Sequence, residues 1–439
     1  MAETDTDAAD RFDASISREK LDEGTPGLWR RYRRLPKNVY AISLVSLLND
    51  TSSEIVYPLL SFFLPVTLGT PPAAVGAIEG AAESVSSLLK LFAGYFSDRR
   101  GRRKGLVVFG YALASVARPL LGFAASWYQV LFIRVTDRVG KGIRSAPRDA
   151  MIADAAQPAE RGLAFGFHRA MDHAGAVVGP LLGLLVLLLI ARNVNEPEPS
   201  DYKWLFLLAS IPAITSVLVA VFFVREMPRE MRADVSALEP PRFTLRGFDG
   251  NFKRFLTIVS LFTLSNFSDI FLLMRAQQAG SGVAAILLLW AALHAVKVLS
   301  SLIGGDLSDR LGRKGLIVAG WTLRVTVYAG FAFAETVGVT WALFMVYGVY
   351  FGLAEGAEKA LVADLVRAEQ RGTAYGLYNL AFGITVLPAS LLMGGVWNWH
   401  GPRAAFITSA CIGALATLLL LTLVGARPRS EGERAGSVN

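Results

Sequence analysis

Gly94-Tyr-Phe-Ser-Asp98-Arg99-Arg100-Gly101-Arg102-Arg103 returns later in the chain as Gly305-Asp-Leu-Ser-Asp309-Arg310-Leu-Gly312-Arg313-Lys314. Each copy stands where one long apolar run ends and the next begins. Gly, Asp, Arg, Gly and a basic pair recur in the same order, roughly 210 residues apart. Two copies of one inter-helix turn imply that the chain is two like halves. A second repeated stretch carries the same offset. Ala153-Asp154 with Arg161-Gly162-Leu-Ala164-Phe-Gly166 matches Ala363-Asp364 with Arg371-Gly372-Thr-Ala374-Tyr-Gly376.

Between these landmarks lie apolar runs of about twenty residues, the length of helix that crosses a hydrocarbon core about 30 Å thick. Of the 439 residues 53% are hydrophobic and only 18% charged, against about a quarter charged in soluble domains. A globular core does not supply so many runs of this length. The pattern predicts twelve helices, over 39–67, 74–97, 105–125, 128–150, 162–190 and 204–224, then 255–274, 283–307, 316–334, 341–362, 373–397 and 404–424. The expected domains are a polar tail (1–37), a six-helix bundle (38–224), a polar connection (225–253), a second bundle (254–425) and a tail (426–439). The first 28 residues lack a cationic start followed by an apolar core, so they read as a disordered tail and not as a cleavable signal.

The net charge of +8 is not spread as a nucleic-acid surface would spread it. Basic residues gather at alternate connections: Arg30 to Lys37, Arg99 to Lys104, Arg225 to Arg246, Arg310 to Lys314, and Arg427 with Arg429. The positive-inside rule then places both termini and the central connection in the cytoplasm of a plasma (inner) membrane. Anionic headgroups are the expected partners of these clusters. The single cysteine, Cys411, allows no disulfide within the chain and no cysteine-rich metal site.

The repeated turn resembles the loop motif of the major facilitator superfamily, and the resemblance covers about residues 38–425. It implies an all-α membrane protein of twelve transmembrane helices in two six-helix bundles, with substrate held between them near the midplane. It also implies a gating role for Gly94, Asp98, Arg99, Gly101 and Arg102 and for Gly305, Asp309, Arg310, Gly312 and Arg313. In that family the motif Asp meets a helix N-terminus of the other half, near helix 11 for Asp98, where the partial positive charge favours a carboxylate. The plainer reading is a solvated basic turn that only sets topology. Gly175-Ala-Val-Val-Gly179-Pro180-Leu-Leu-Gly183 is similar to the helix 5 motif of the family's proton-coupled antiporters, with Leu184 at the second position of the usual double glycine. Gly175, Gly179 and Gly183 make one smooth helix face and Pro180 permits a kink. The antiporters' helix 4 motif sets an Arg four residues before a Gly. Here Arg134 precedes Gly140 by six.

Ionisable residues inside a bilayer are costly and face a cavity or a partner. Asp50, Ser53, Glu54 and Tyr57 share one face of helix 1, and Glu79, Glu83, Ser86, Ser87 and Lys90 stripe helix 2. Arg134, Asp137, Arg138 and Lys141 stripe helix 4, and His168, Arg169, Asp172 and His173 lie on helix 5. Helix direction puts Asp50, Glu54, Glu83, Asp137 and Asp172 near mid-membrane, which predicts one shared polar hollow with Arg134, Arg138 and Arg169 as counter-ions. Helix 7 adds Asn266 and Asp269. These groups read either as proton carriers and substrate ligands or as a structural ion-pair network, with the helix 4 charges spaced to pair within their own helix. Arg148-Asp149 and Glu358-Lys359 occupy matching positions in opposite order, which predicts attraction between the halves.

No enzyme motif stands out. Gly140-Lys141-Gly142 lacks the earlier glycine of a phosphate loop, and three polar groups on helix 5 do not close a metal site. No cofactor or metal is expected. The function implied is secondary active transport of a small molecule by alternating access, with protons as coupling ion and export as direction, by a chain working as a monomer. A symporter on the same fold is the alternative, and a non-transporting receptor or scaffold is the reading from another class.

Overall fold

In a computed structural model the described residues are 33–100, 102–157, 160–226, 244–367 and 370–425, with the backbone alone at 98, 100, 302–311 and 372. Most of the expected tail 1–37, all of 426–439 and residues 227–243 of the connection lie outside them. The first six helices are α1 (Lys37–Val56), α2 (Pro72–Arg100), α3 (Lys104–Ala117), α4 (Trp127–Ala155), α5 (Arg161–Ile190) and α6 in two pieces (Pro199–Leu208 and Ser210–Phe222). The second six are α7 in two pieces (Gly250–Leu264 and Ile270–Gln278), α8 (Val283–Leu311), α9 (Arg313–Ala332), α10 (Val337–Asp364), and α11 and α12 within Arg371–Leu423. The last two part at Gly401, whose φ of 83° is a left-handed value that glycine alone adopts without strain. Pro402 follows it, inside the expected gap.

Seven described stretches are long and apolar enough to cross a bilayer by length and composition. The helices outside that set are α1, α2, α4 and α7, which are polar-rich or broken. Many of their polar groups turn inward, to partners or to the space between the bundles, as a hydrocarbon surround demands.

Two helices depart from the expected unbroken spans. Pro58 and Pro65 remove backbone donors, and α1 continues through a tight turn at Tyr57–Leu59 and a wide turn at Phe63–Thr67. Helix α7 breaks between Leu264 and Ile270, at Ser265-Asn-Phe-Ser-Asp269. Short polar side chains there compete with the backbone for hydrogen bonds; the Ser265 hydroxyl donates to the Phe262 carbonyl at 2.6 Å. Non-helical backbone at membrane depth is tolerated where it borders a polar cavity.

The two bundles are tied off alike. Asn38 at the start of α1 exchanges two hydrogen bonds with Arg225 after α6, at 2.9 and 3.1 Å. Asn251 at the start of α7 does the same with Gly425 after α12, at 2.9 and 3.1 Å. Within the first bundle α1 packs on α5 and α6, and α4 packs on α2 and α3. Within the second, α10 packs on α8 and α9. The bundles meet where α2 lies along the α11–α12 segment and α5 lies along α8.

Small residues set that contact. A Cβ at Gly76 would collide with the Ser390 carbonyl, and one at Gly394 would lie 2.6 Å from the Pro72 carbonyl. Both sites lie toward the face opposite the termini. We expect Gly76→Val to hold the bundles apart on that face. A Ser268→Cys probe in a Cys411→Ser background, where no other thiol remains, should then react faster with an impermeant maleimide applied from that side. Unchanged labelling would show that the crossing does not control closure.

Candidate functional site

A cavity of about 550 Å³ lies between the bundles. Its first-bundle wall carries Tyr57, Glu79, Glu83, Ser87, Lys90, Arg138 and Lys141, from α1, α2 and α4. Its second-bundle wall is largely aromatic, with Phe262, Phe267, Tyr347, Tyr350, Phe351, Tyr378 and Phe382, and adds Asn266, Asp269, Glu355, Glu358 and Asn379. The break in α7 is what presents Asn266, Ser268 and Asp269 to this space.

Toward the face opposite the termini the cavity is roofed. The Tyr57 hydroxyl and Ser268 hydroxyl are 3.0 Å apart across the bundles, and Ser268 donates to Glu79 at 3.3 Å. Glu79 takes three hydrogen bonds from Arg134, at 2.8 to 3.0 Å, and the Arg134 guanidinium lies 5.4 Å from the centre of the Tyr57 ring. Tyr57 also packs on Trp290 with ring centres 5.3 Å apart. Beyond the roof, Leu60–Phe62 packs on the second piece of α7. Toward the terminal face the walls part. The Glu355 and Lys359 side chains are about half exposed (53% and 47%) although they sit on inward faces. A Cβ at Gly166, Gly356 or Gly376 would meet nothing within 4 Å.

Most carboxylates on the second-bundle wall are already held. Asp269 accepts from the Tyr347 hydroxyl at 2.8 Å and lies 3.6 Å from the Lys297 ammonium. Glu358 accepts from the Trp321 indole at 2.7 Å and the Tyr378 hydroxyl at 2.6 Å. Lys359 donates to Glu355 at 3.0 Å.

A second group of charges lies between α1, α4, α5 and α8. Asp50 accepts from the Asn49 amide at 2.9 Å. Arg148 donates to Ser46 and Asp149, both at 2.9 Å, and stands 4.0 Å from Asp172. Asp172 is 3.6 Å from buried His168, one turn away on α5. Glu54 accepts from the Trp290 indole at 2.7 Å, a bond that joins the first bundle to the second. The glycine face of α5 permits this arrangement. A Cβ at Gly175 would lie 2.5 Å from the Leu47 carbonyl and 3.1 Å from the Asp50 Cβ; at Gly179 it would lie 2.6 Å from the Thr51 carbonyl and 2.9 Å from the Glu54 Cβ. Gly183 is looser, at 3.6 Å from the Ile55 carbonyl, and α5 runs as one helix through Pro180.

These positions correct the expectation of a single hollow ringed by five carboxylates. Of that set Glu83 lines the cavity described, while Asp50, Glu54, Asp137 and Asp172 are not among its walls. The second bundle, lighter in charge by sequence, supplies more of the lining through Asn266, Asp269 and α10. Arg138 does face the cavity, 3.8 Å from Glu83. Arg134 is spent on Glu79, and Arg169 is exposed. Nor do the α4 charges pair chiefly within their helix. Asp137 receives Arg118 of the turn after α3 at 2.9 Å, and Arg118 also donates to the Asn49 carbonyl and side chain at 2.9 and 3.0 Å. The expected attraction between Arg148-Asp149 and Glu358-Lys359 is also absent among the described contacts; each pair finds partners in its own bundle. Arg118, a lone basic residue beside Pro119 inside the apolar run 105–125, was the signal in the sequence that Asp137 has a partner outside its own helix.

At the terminal face the repeated turn builds the same ion pair twice. Arg103 binds Asp154 in the first bundle and Arg313 binds Asp364 in the second. Lys104 caps the Val221 carbonyl at 2.7 Å, and Lys314 caps the Leu421 and Val424 carbonyls at 2.9 and 2.6 Å. The first-half counterpart of Arg313 is therefore Arg103 and not Arg102, which is exposed. The first copy, Gly101-Arg-Arg-Lys-Gly105, is one residue longer than Gly312-Arg-Lys-Gly315, and the extra arginine is the one turned out. Glu226 accepts from the backbone amides of Arg103 and Lys104 at 2.9 and 2.7 Å, a carboxylate at the N-terminus of α3. Gly94 packs on Ala146 of α4, Arg99 is exposed, and Gly312 carries a positive φ of 77°. Gly101 and the side chains of Asp98, Asp309 and Arg310 lie outside the described residues, as do the surroundings of Gly305.

Comparison with known proteins agrees with this architecture. The sequence profile of the Major Facilitator Superfamily matches residues 42–385 and 255–438. An uncharacterized MFS-type transporter of Methanocaldococcus jannaschii is 34% identical over 89% of this chain and 95% of its own length. The multidrug resistance protein MdtH of Sodalis glossinidius is 27% identical over 84% of this chain and 88% of its own. Among solved structures, a bacterial homologue of the human lysosomal transporter Spinster, inward-facing and occupied, superposes with a TM-score of 0.69 at 17% identity, over 87% of this chain and 95% of that one.

Proposed function

This chain belongs to the Major Facilitator Superfamily, a class of membrane transporters and not of enzymes, and on that premise we propose that it exports a small molecule in exchange for protons by alternating access. The observation that carries the proposal is Glu54. It stands on α1 against the glycine face of α5 and takes the Trp290 indole of the other bundle at 2.7 Å. A carboxylate accepts that bond strongly and a neutral carboxyl weakly. Loading or releasing a proton at Glu54 therefore changes how tightly the bundles are tied at this level, which is the coupling an exchanger needs.

The basic connections support a cytoplasmic terminal face, and with that orientation the roofed cavity opens inward. In the proposed cycle this is the state that releases the proton, with Glu54 held by Trp290 and the cavity taking substrate from the cell interior. Outward turning frees Glu54 to take a proton on the other side. Export is supported by the likeness to MdtH, which is named for multidrug resistance, and by the helix 5 glycine motif. One chain contains both bundles and the space between them, which supports action as a monomer.

The test is flux in proteoliposomes under an imposed pH gradient. Antiport predicts substrate accumulation driven toward the acidic side and alkalinisation of that side. Substrate driven with the protons would make the protein a symporter, and no flux would favour a receptor or scaffold.

A further inference from the structure

The cavity also carries information about what it holds. On the first-bundle wall three cations, Lys90, Arg138 and Lys141, face one carboxylate, Glu83. Arg138 lies 3.8 Å from Glu83 and 4.0 Å from Asp137, and neither Lys90 nor Lys141 has a carboxylate within 4.0 Å among the described residues. The other acid on that wall, Glu79, is consumed by Arg134. The opposite wall does not supply the balance, because Glu355 is bound by Lys359 and Asp269 by Lys297 and Tyr347. Glu358 is enclosed by Trp321 and Tyr378, with the buried guanidinium of Arg324 near it. Arg138 thus has Glu83 and Asp137 beside it, while the ammonium groups of Lys90 and Lys141 have no carboxylate at ion-pair distance among the described residues and face rings on the other wall.

Unpaired ammonium groups at membrane depth are expensive, and a ligand that neutralises them is bound for that reason. Flat aromatic surface opposite them offers apolar contact to the remainder of the same molecule. We propose that the substrate is an organic anion with an aromatic or otherwise apolar body. Its carboxylate, phosphate or sulfonate lies among Lys90, Arg138 and Lys141, and its body lies against Tyr350, Phe351 and Phe382. A volume of about 550 Å³ admits a body of one to three fused rings. The inference rests on the transport reading above and narrows it.

The experiment uses the purified full-length protein and a matched panel: naphthalene carboxylates, phosphates and sulfonates, the neutral methyl esters of the carboxylates, and the corresponding naphthylmethyl-ammonium ions. Binding is read as thermal stabilisation and titrated for affinity. The anionic members should stabilise the protein, and the neutral and cationic members should not. Lys141→Gln and Lys90→Gln should each weaken anion binding about tenfold, as loss of one charged contact does, while Lys141→Arg keeps it. Neutral or cationic members binding as tightly as the anions would overturn the inference, as would a panel in which no anion binds or glutamine variants that bind anions as well as wild type. Counterflow in proteoliposomes separates this from the function itself. An anion that binds at the cavity but is never moved refutes transport and leaves the site standing. Movement of a cation or neutral molecule in its place refutes the site and leaves transport standing.

Discussion

Glu54→Gln should abolish uphill exchange while leaving the protein folded and able to equilibrate its substrate. Glutamine has nearly the shape of a protonated glutamic acid, and its amide oxygen can still accept the Trp290 indole, now without charge assistance. It cannot release a proton. In proteoliposomes, substrate accumulation driven by a pH gradient should fall to the leak of empty liposomes, while counterflow at equal pH persists. Trp290→Phe should keep the proton site but lose the tie, so its exchange should continue with weaker dependence on pH. If Glu54→Gln still accumulates substrate against its gradient, the coupling group lies elsewhere. Asp50, four residues earlier on the same face, is then the next position to replace.

Arg118→Leu should be the most damaging single change to stability. Arg118 is 4% exposed and Asp137 is 3% exposed. The pair is joined at 2.9 Å and Arg118 also holds the Asn49 carbonyl where α1 carries its acidic stripe. Removing one partner of a buried pair typically costs about 3–5 kcal/mol, and here it leaves the buried Asp137 carboxylate with only the more distant Arg138, at 4.0 Å. The expected readout is a large drop in melting temperature in detergent and loss of folded protein in the membrane. Replacing both partners by apolar groups of similar size removes the stranded charge. Arg118→Leu with Asp137→Leu should therefore recover much of the loss. A double variant no more stable than Arg118→Leu alone would show that the guanidinium acts chiefly through Asn49 and the α1 backbone.

The architecture was legible because lipid makes local sequence decisive. A helix that crosses hydrocarbon must satisfy its backbone within itself, so length and apolarity announce it without knowledge of its neighbours. The repeated turn and the repeated Ala153-Asp154 and Ala363-Asp364 then identified two equivalent bundles, and the structure joins the two motifs through Arg103 to Asp154 and Arg313 to Asp364. The glycine face of α5 was legible for a like reason: Gly175 and Gly179, four residues apart, make a smooth face suited to close approach, and α1 makes it.

Partners across space were not legible in the same way. Helix direction read from the sequence assigns Asp50, Glu54, Glu83, Asp137 and Asp172 a similar depth. Which way each one turns follows from helix rotation and from what the neighbouring helix offers, and no local signal carries that. Arg118 claims Asp137, Trp290 claims Glu54, and Lys90, Arg138 and Lys141 are left around Glu83 because the acids that might have joined them were taken by nearer donors. The break in α7 belongs with these, since its polar run could have stayed helical in other surroundings and opens here beside a cavity. Composition and periodicity thus determined the spanning helices and their twofold repetition, each a property of a segment alone. The tertiary structure decided which buried charges cancel and which stay available, because electrostatic pairing depends on distances between segments that the chain order does not contain.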